Sequence, residues 1–230
     1  MTNILLWVVL PYASILVFLV GHLWRWRYDR FGWTEEWMLL FKPRYVRWGI
    51  VLFHAGAFAT IGGHLVGILV PSGITAAAGI SESAYRASAI SLGGFFGLCV
   101  LVGLGGLLYR RTLIAAIVKN NKPLDLLTLC LLALIAILGM VETLGVNFLG
   151  GGYDYRSTVA VWFRDLFLFA PQANLMAGAP LVYQAHAIAA WLLYAIWPFS
   201  RLVHVWQFPF WAARRLNLVR TSVAVGNPTD

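Results

Sequence analysis

Two histidines stand in the stretch FHAGAFATIGGH, residues 53–64, inside an apolar run that carries no charge between Arg47 and Glu82. Imidazole is polar, and a polar group left without a partner in hydrocarbon costs roughly 2–7 kcal/mol. Such histidines must be satisfied by other polar groups, or they bind something. A second pair, His186 and His204, occupies another apolar run. The fifth histidine, His22, stands at the edge of a first apolar run, in HLWRWRYDR, and reads as interfacial. Imidazole nitrogen ligates zinc, copper and haem iron. No Asp, Glu or Cys lies at ligand spacing beside the two pairs, and the two histidines of each run are too distant to share one ion. No CxxC or CxxCH occurs, which argues against a cysteine zinc site and against covalent haem. Cys99 and Cys130 sit in apolar runs and read as small core residues.

The elements that must position these histidines follow from composition. The chain is 60% hydrophobic and 11% charged, against about 45–50% apolar and about 25% charged in soluble domains. Five apolar stretches, 4–24, 46–70, 86–109, 125–146 and 181–203, approach or exceed the ~20 residues that span a bilayer as helix. Their length and lack of two-residue alternation exclude strands. The first lacks a basic n-region and reads as an uncleaved span. The expected fold is therefore an all-α integral membrane protein, a bundle of five transmembrane helices. Residues 1–204 are expected to form the membrane domain, and 205–230 a polar, basic cytoplasmic tail that either contacts partner subunits or is disordered.

Lysines and arginines give the orientation. Arg25, Arg27, Arg30, Lys42, Arg44 and Arg47 follow the first span; Arg110, Arg111, Lys119 and Lys122 follow the third; Arg201, Arg214, Arg215 and Arg220 lie at or beyond the end of the fifth. The opposite side has Arg86, Arg156 and Arg164. Fourteen against three places the N-terminus outside and the C-terminus in the cytoplasm. The formal charge of +8 is thus a topology signal in a cytoplasmic membrane, not a nucleic-acid footprint. The outer connection 147–180 opens with GGG and contains STVAVWFRDLFLFAP, which reads as a helix lying at the interface.

Orientation sorts the histidines by depth. The second span runs outward, so His54 is inner and His64 outer. The fifth runs inward, so His186 is outer and His204 inner. Two bis-histidine sites result, His64 with His186 and His54 with His204, as two b-type haems carrying electrons across a bilayer require. His186 and His204 are eighteen residues apart, five turns, and would share a helix face; His54 and His64 are ten apart, roughly 80° out of register. The helices must therefore cross or bend, and Pro198 supplies a bend. Gly56, Gly62, Gly63 and Gly67, with Gly93, Gly94, Gly97, Gly103, Gly105 and Gly106, leave either room for a macrocycle or close helix packing. Glu142, near the outer end of the fourth span, is either a proton-handling group or a residue at the water boundary. A channel or transporter would need a polar pathway, which these spans lack. A haem-free scaffold remains the other class.

Through LPYAS, RYDRFGWT, FHAGAFATIGGHLVG, ISLGG and PFSRLVHVWQFP the chain resembles the gamma, cytochrome b, subunits of membrane-bound respiratory nitrate reductases. The resemblance covers nearly the whole chain; its specific elements are the two histidines of the second span and PFSRLVH. It implies five spans, two haem b groups, and oxidation of a quinol (menaquinol or ubiquinol) near the outer haem. Electrons would pass to an iron–sulfur beta subunit and a molybdenum-containing alpha subunit on the cytoplasmic side, where nitrate is reduced in anaerobic respiration. His64 and His186 would hold the distal haem, and His54 and His204 the proximal one. The quinol site would adjoin Gly63 and His64, with a basic residue before the third span. Tyr85 occupies the column of that family's lysine, and Arg86 follows, so Arg86 is taken as the quinol-binding base. Haem b anchors of heterodisulfide-reductase-like, sulfite-reducing or formate dehydrogenase complexes share the architecture and differ in partner.

Overall fold

The computed structural model describes residues 1–28, 44–113 and 123–205, and all regular structure among them is helical. Helix α1 covers Thr2–Tyr28. Helix α2, Arg44–His64, is prolonged by a π-helical stretch, Leu65–Leu69. A short α3, Ser72–Ala77, leads to α4, Glu82–Leu113. Helix α5, Pro123–Met140, is likewise prolonged by a π-helical stretch, Val141–Leu149. The outer connection holds α6, Val159–Phe167, and α7, Ala173–Ala177. Last comes α8, Leu181–Ile196, followed by 3-10 turns at Trp197–Phe199 and Arg201–Val203. From residue 206 the tail assigned to 205–230 lies outside the described residues.

Among the described residues four helices are long and apolar enough to cross a membrane: α1, Val46–Leu69 of α2, α4, and α5 with its extension, Pro123–Leu149. The fifth expected span differs. Helix α8 has 16 residues, about 24 Å at 1.5 Å per residue, against ~30 Å of hydrocarbon. Pro198 cannot supply a backbone N–H, and Ser200 is extended at φ −104° and ψ 176°. Ser200 Oγ then caps the next turn by accepting from Leu202 N at 3.2 Å. His204 therefore stands beyond a break, and the five-turn spacing that would give it a common face with His186 does not apply. The bend expected from Pro198 is present, as a loss of the helix.

Helix α2 packs on α4, α4 on α5, α5 on α8, and α8 on α1. Glycine makes the first contact close. A Cβ on Gly56 would fall 2.8 Å from Phe96 O, and one on Gly103 would fall 2.5 Å from Phe53 N. Backbone cannot yield to a methyl group, so these glycines serve helix packing. Gly62 and Gly63 are different, with nothing within 4 Å of a Cβ position. Cys99 is half-buried and Cys130 exposed on α5. Neither belongs to the buried core expected for them.

At the end of the bundle that carries His64 and His186, expected to be the outer end, the helices depart from α geometry. π-Helical turns occupy Leu5–Val9 at the start of α1 and the outer ends of α2 and α5. Widened turns offer carbonyls to partners outside the helix, and each stretch has one. Trp162 Nε1 donates to Trp7 O at 2.9 Å, Arg164 Nη1 to Ile68 O at 2.6 Å, and Arg86 Nη2 to Asn147 O at 2.7 Å. Arg164 thereby also places a cation at the negative end of α2.

The connection 147–180, expected to hold an interfacial helix, packs α6 as a cap against that end of the bundle. Ala160, Trp162 and Leu166 of α6 are buried with Trp7, Met176, Tyr183 and Trp191. Trp7 and Trp162 meet edge to face at 5.9 Å. Phe167, Leu168 and Phe169, at the end of α6, are exposed.

Candidate functional site

Helix α2, which bears His54 and His64, and α8, which bears His186, are not among the closely packed helix pairs. Imidazoles face one another between them. His64 ends α2 and lies 6.0 Å, ring centroid to centroid, from His186 near the start of α8, the planes inclined at 45°. His54, in the middle of α2, lies 5.9 Å from His204 beyond the Pro198 break, at 68°. The structure thus brings together the same partners that the depth argument pairs.

The backbone sets which ring nitrogen is available. His54 Nδ1 lies 2.8 Å from Ile50 O, His64 Nδ1 2.8 Å from Thr60 O, and His204 Nδ1 2.5 Å from Arg201 O. A carbonyl only accepts, so each Nδ1 carries the hydrogen and Nε2 keeps its lone pair. His186 Nδ1 lies 3.3 Å from Glu142 Oε1. A metal bound about 2.0–2.1 Å from one nitrogen of each imidazole places two ring centroids about 6 Å apart. Both pairs meet that spacing, and the tethered far nitrogen is the arrangement usual for ligating histidines. His22 makes the same bond, to Phe18 O at 2.7 Å. The bond alone is therefore no metal signature; the facing imidazole is what distinguishes the two pairs. Among the described residues no three His, Cys, Asp or Glu groups converge on one ion. Two nitrogens suit a group that brings its own four equatorial ligands, so the donor set fits haem.

Around the outer pair, Gly63 is exposed beside His64 with open space where a side chain would be. Gly139 allows His186 its place on α5, for a Cβ there would come within 3.1 Å of Cε1. Arg86 is exposed near the start of α4, and its Nη2 donates to Asn147 O at 2.7 Å. Gly152, at φ +100°, passes so close to this guanidinium that a Cβ would collide with it. Arg86 is thus fixed to the outer connection, and no hydrogen bond joins it to His64 among the described residues.

Several residues that organise the site carry no signal in the sequence motifs. Asn147 gathers the outer end: its Nδ2 reaches Glu142 O and Tyr183 Oη, and its Oδ1 accepts from Tyr153 N. Arg156 is 5% exposed, donates to Glu82 Oε2 and Thr75 Oγ1 at 3.0 Å each, and covers the Tyr85 ring at 4.0 Å. Tyr85, in the column of the family's lysine, is bonded at 2.8 Å to Tyr155. Burial, and then the bond to Tyr85, push the Tyr155 phenol well above its ordinary pKa. At the inner end Asp125, 6% exposed, lies 2.6 Å from Arg201 Nε and 3.6 Å from Arg111 Nη1. The carbonyl of that same Arg201 tethers His204. The sequence offered a weak clue here, an aspartate at the start of an apolar run.

Apolar helices long enough to cross a bilayer define a membrane protein. Residues 3–222 match the family model described as the nitrate reductase gamma subunit, and the chain belongs to that family. It is 40% identical over 209 residues to the nitrate reductase gamma chain of Bacillus subtilis (strain 168), covering 91% of this chain and 93% of that one. To the respiratory nitrate reductase 2 gamma chain of Escherichia coli (strain K12) it is 28% identical over 222 residues, 95% and 97% of the two chains. The nitrate reductase-like protein NarX of Mycobacterium tuberculosis (strain ATCC 25618 / H37Rv) is 41% identical over 209 residues; these are 89% of this chain but 32% of that protein. The chain is accordingly a membrane subunit of an oxidoreductase complex, acting in electron transport with other nitrate reductase subunits.

Proposed function

We propose that this subunit crosses the cytoplasmic membrane five times with its N-terminus outside, holds two b-type haems, and oxidises a quinol near the outer one. The observation that carries the reading is the pair of facing imidazoles at each of two depths. His64 and His186 hold the outer haem, and His54 and His204 the inner. When bound, the haems supply one-electron carriage between the two ends of the bundle. What the chain contributes is orientation, since Ile50, Thr60 and Arg201 carbonyls hold Nδ1 of three rings and leave Nε2 as the nitrogen available to a ligand. The electrons leave on the cytoplasmic side to an iron–sulfur subunit and a molybdenum-containing subunit that reduces nitrate.

Quinol, menaquinol or ubiquinol, dissolves in the lipid and must reach the outer haem sideways. The open space at Gly63 supports entry there. Oxidation to quinone releases two protons and two electrons; near the outer face the protons leave outside while the electrons move inward, separating charge. The experiment is to count haem in the purified complex and to follow haem reduction by quinol. Two low-spin b haems reduced by quinol are expected; a complex with no haem would end the reading.

Arg86 is the proposed basic side chain at the quinol site, acting as a charged hydrogen-bond donor. A hydrogen bond from a charged donor is typically worth about 1.5–3 kcal/mol. Arg86→Ala is therefore expected to keep both haems and slow quinol-driven haem reduction by roughly ten- to a hundredfold. Reduction by an artificial donor should be unchanged. Equal quinol reduction in variant and wild type would instead assign Arg86 to holding Asn147 and the outer connection.

A further inference from the structure

The two imidazole pairs differ in one respect that the proposed haem reading leaves unused. Three of the four rings tether Nδ1 to a neutral backbone carbonyl, on Ile50, Thr60 and Arg201. His186 alone faces a side chain, with Glu142 Oε1 3.3 Å from its Nδ1. Both atoms are buried, and neither has a hydrogen-bond partner among the described residues. The backbone has left this ring free to take a carboxylate. Its own helix offers no substitute: Val182 O, one turn before it, is not bonded to the ring, and Gly139 lets the ring lean against α5 instead. Glu142 arrives from the π-helical turn Val141–Leu149, held there by Asn147 Nδ2 on its own carbonyl. The two otherwise unpartnered atoms, 3.3 Å apart, are placed to satisfy each other.

We propose that Glu142 is a positioning residue for the outer pair, fixing His186 with its hydrogen on Nδ1 and making its Nε2 the most electron-rich of the four ring nitrogens. This rests on the haem reading above. Its consequence is electrical asymmetry. A hydrogen bond to a carboxylate raises the basicity of a ligating imidazole more than one to a carbonyl. The oxidised site carries one positive charge more than the reduced site, so an adjacent carboxylate favours the oxidised form. The outer site is thereby the poorer electron acceptor of the two, and electrons entering there move downhill to the carbonyl-tethered inner site. The direction of transfer would follow from the chain's own residues.

The test is a redox titration of both haems in the full complex. Glu142→Gln keeps the shape and removes the charge. We expect both haems to remain bound and the outer component, recognised as the one lost in His64→Ala, to become easier to reduce. Its reduced-to-oxidised ratio at fixed ambient potential should rise about tenfold, a shift of about 59 mV for a one-electron couple. The inner component should not move, and Glu142→Asp should restore most of the wild-type potential. An outer potential unchanged in E142Q, or equal shifts at both haems, would overturn the proposal. If E142Q sheds the outer haem, its retention in E142D supports a role for the charge, and its loss in both variants overturns it. A wild-type complex lacking two b haems would overturn the underlying reading as well, and that is seen before any substitution is made.

Discussion

Replacing His54 or His204 by alanine is expected to remove the inner haem and leave the outer one bound, whereas His64→Ala or His186→Ala should do the reverse. The four single variants should fall into two classes, each losing one of two spectral components outright. The classes follow from geometry, because each ring has one facing imidazole, 5.9 or 6.0 Å away. Alanine would take away one of the two imidazoles that hold the haem at that depth. Low-spin iron needs both nitrogens. The classes cross the chain in a way that sequence proximity does not predict, since His54 and His64 share α2 yet should behave oppositely. A His54→Ala protein that loses the same component as His186→Ala would destroy the pairing, and with it the assignment of an outer and an inner site.

The histidine partners were legible from sequence because two independent regularities, span order and charge bias, fix depth before any helix is packed. Span positions were legible for the same reason: apolar length is a local property. What failed was geometry that depends on non-local partners. The eighteen-residue spacing presumed one straight helix from His186 to His204, but Pro198 and the extended Ser200 end it at Ile196. No sequence rule marks the π-helical turns at Leu5–Val9, Leu65–Leu69 and Val141–Leu149, because each is answered by a side chain that is close only after folding. Trp162 answers Trp7 from 155 residues away. The glycines were ambiguous as a set and separate only individually, Gly56 and Gly103 facing backbone, Gly62 and Gly63 facing open space. Glu142 illustrates the limit most directly. Its place near the outer end of a span was visible, but its contact with His186 is a product of the α5–α8 packing.

Asp125→Ala is expected to lower the stability of the whole bundle and to release the inner haem before the outer. Asp125 opens α5, where its charge also suits the positive end of the helix. Arg201 Nε at 2.6 Å and Arg111 Nη1 at 3.6 Å converge on one oxygen, so a single carboxylate joins α4, α5 and the turn after α8. Removing one member of a buried ion pair typically costs about 3–5 kcal/mol. The Arg201 side chain is 39% exposed, and water there screens the loss, which brings the expected cost to roughly 2–3 kcal/mol. For a chain of this size that corresponds to an apparent midpoint lower by about 4–12 °C. The effect should not be uniform, because the backbone of Arg201 carries the carbonyl that orients His204. Freed of Asp125, the Arg201–Val203 turn loses its attachment to the bundle, and the inner imidazole loses its alignment with His54. Heating the variant complex while recording the haem bands should therefore show the inner component disappearing first, with Asp125→Asn intermediate between alanine and wild type. Simultaneous loss of both components at the wild-type temperature would mean that the ion pair is only a surface contact and that His204 is held by its turn alone.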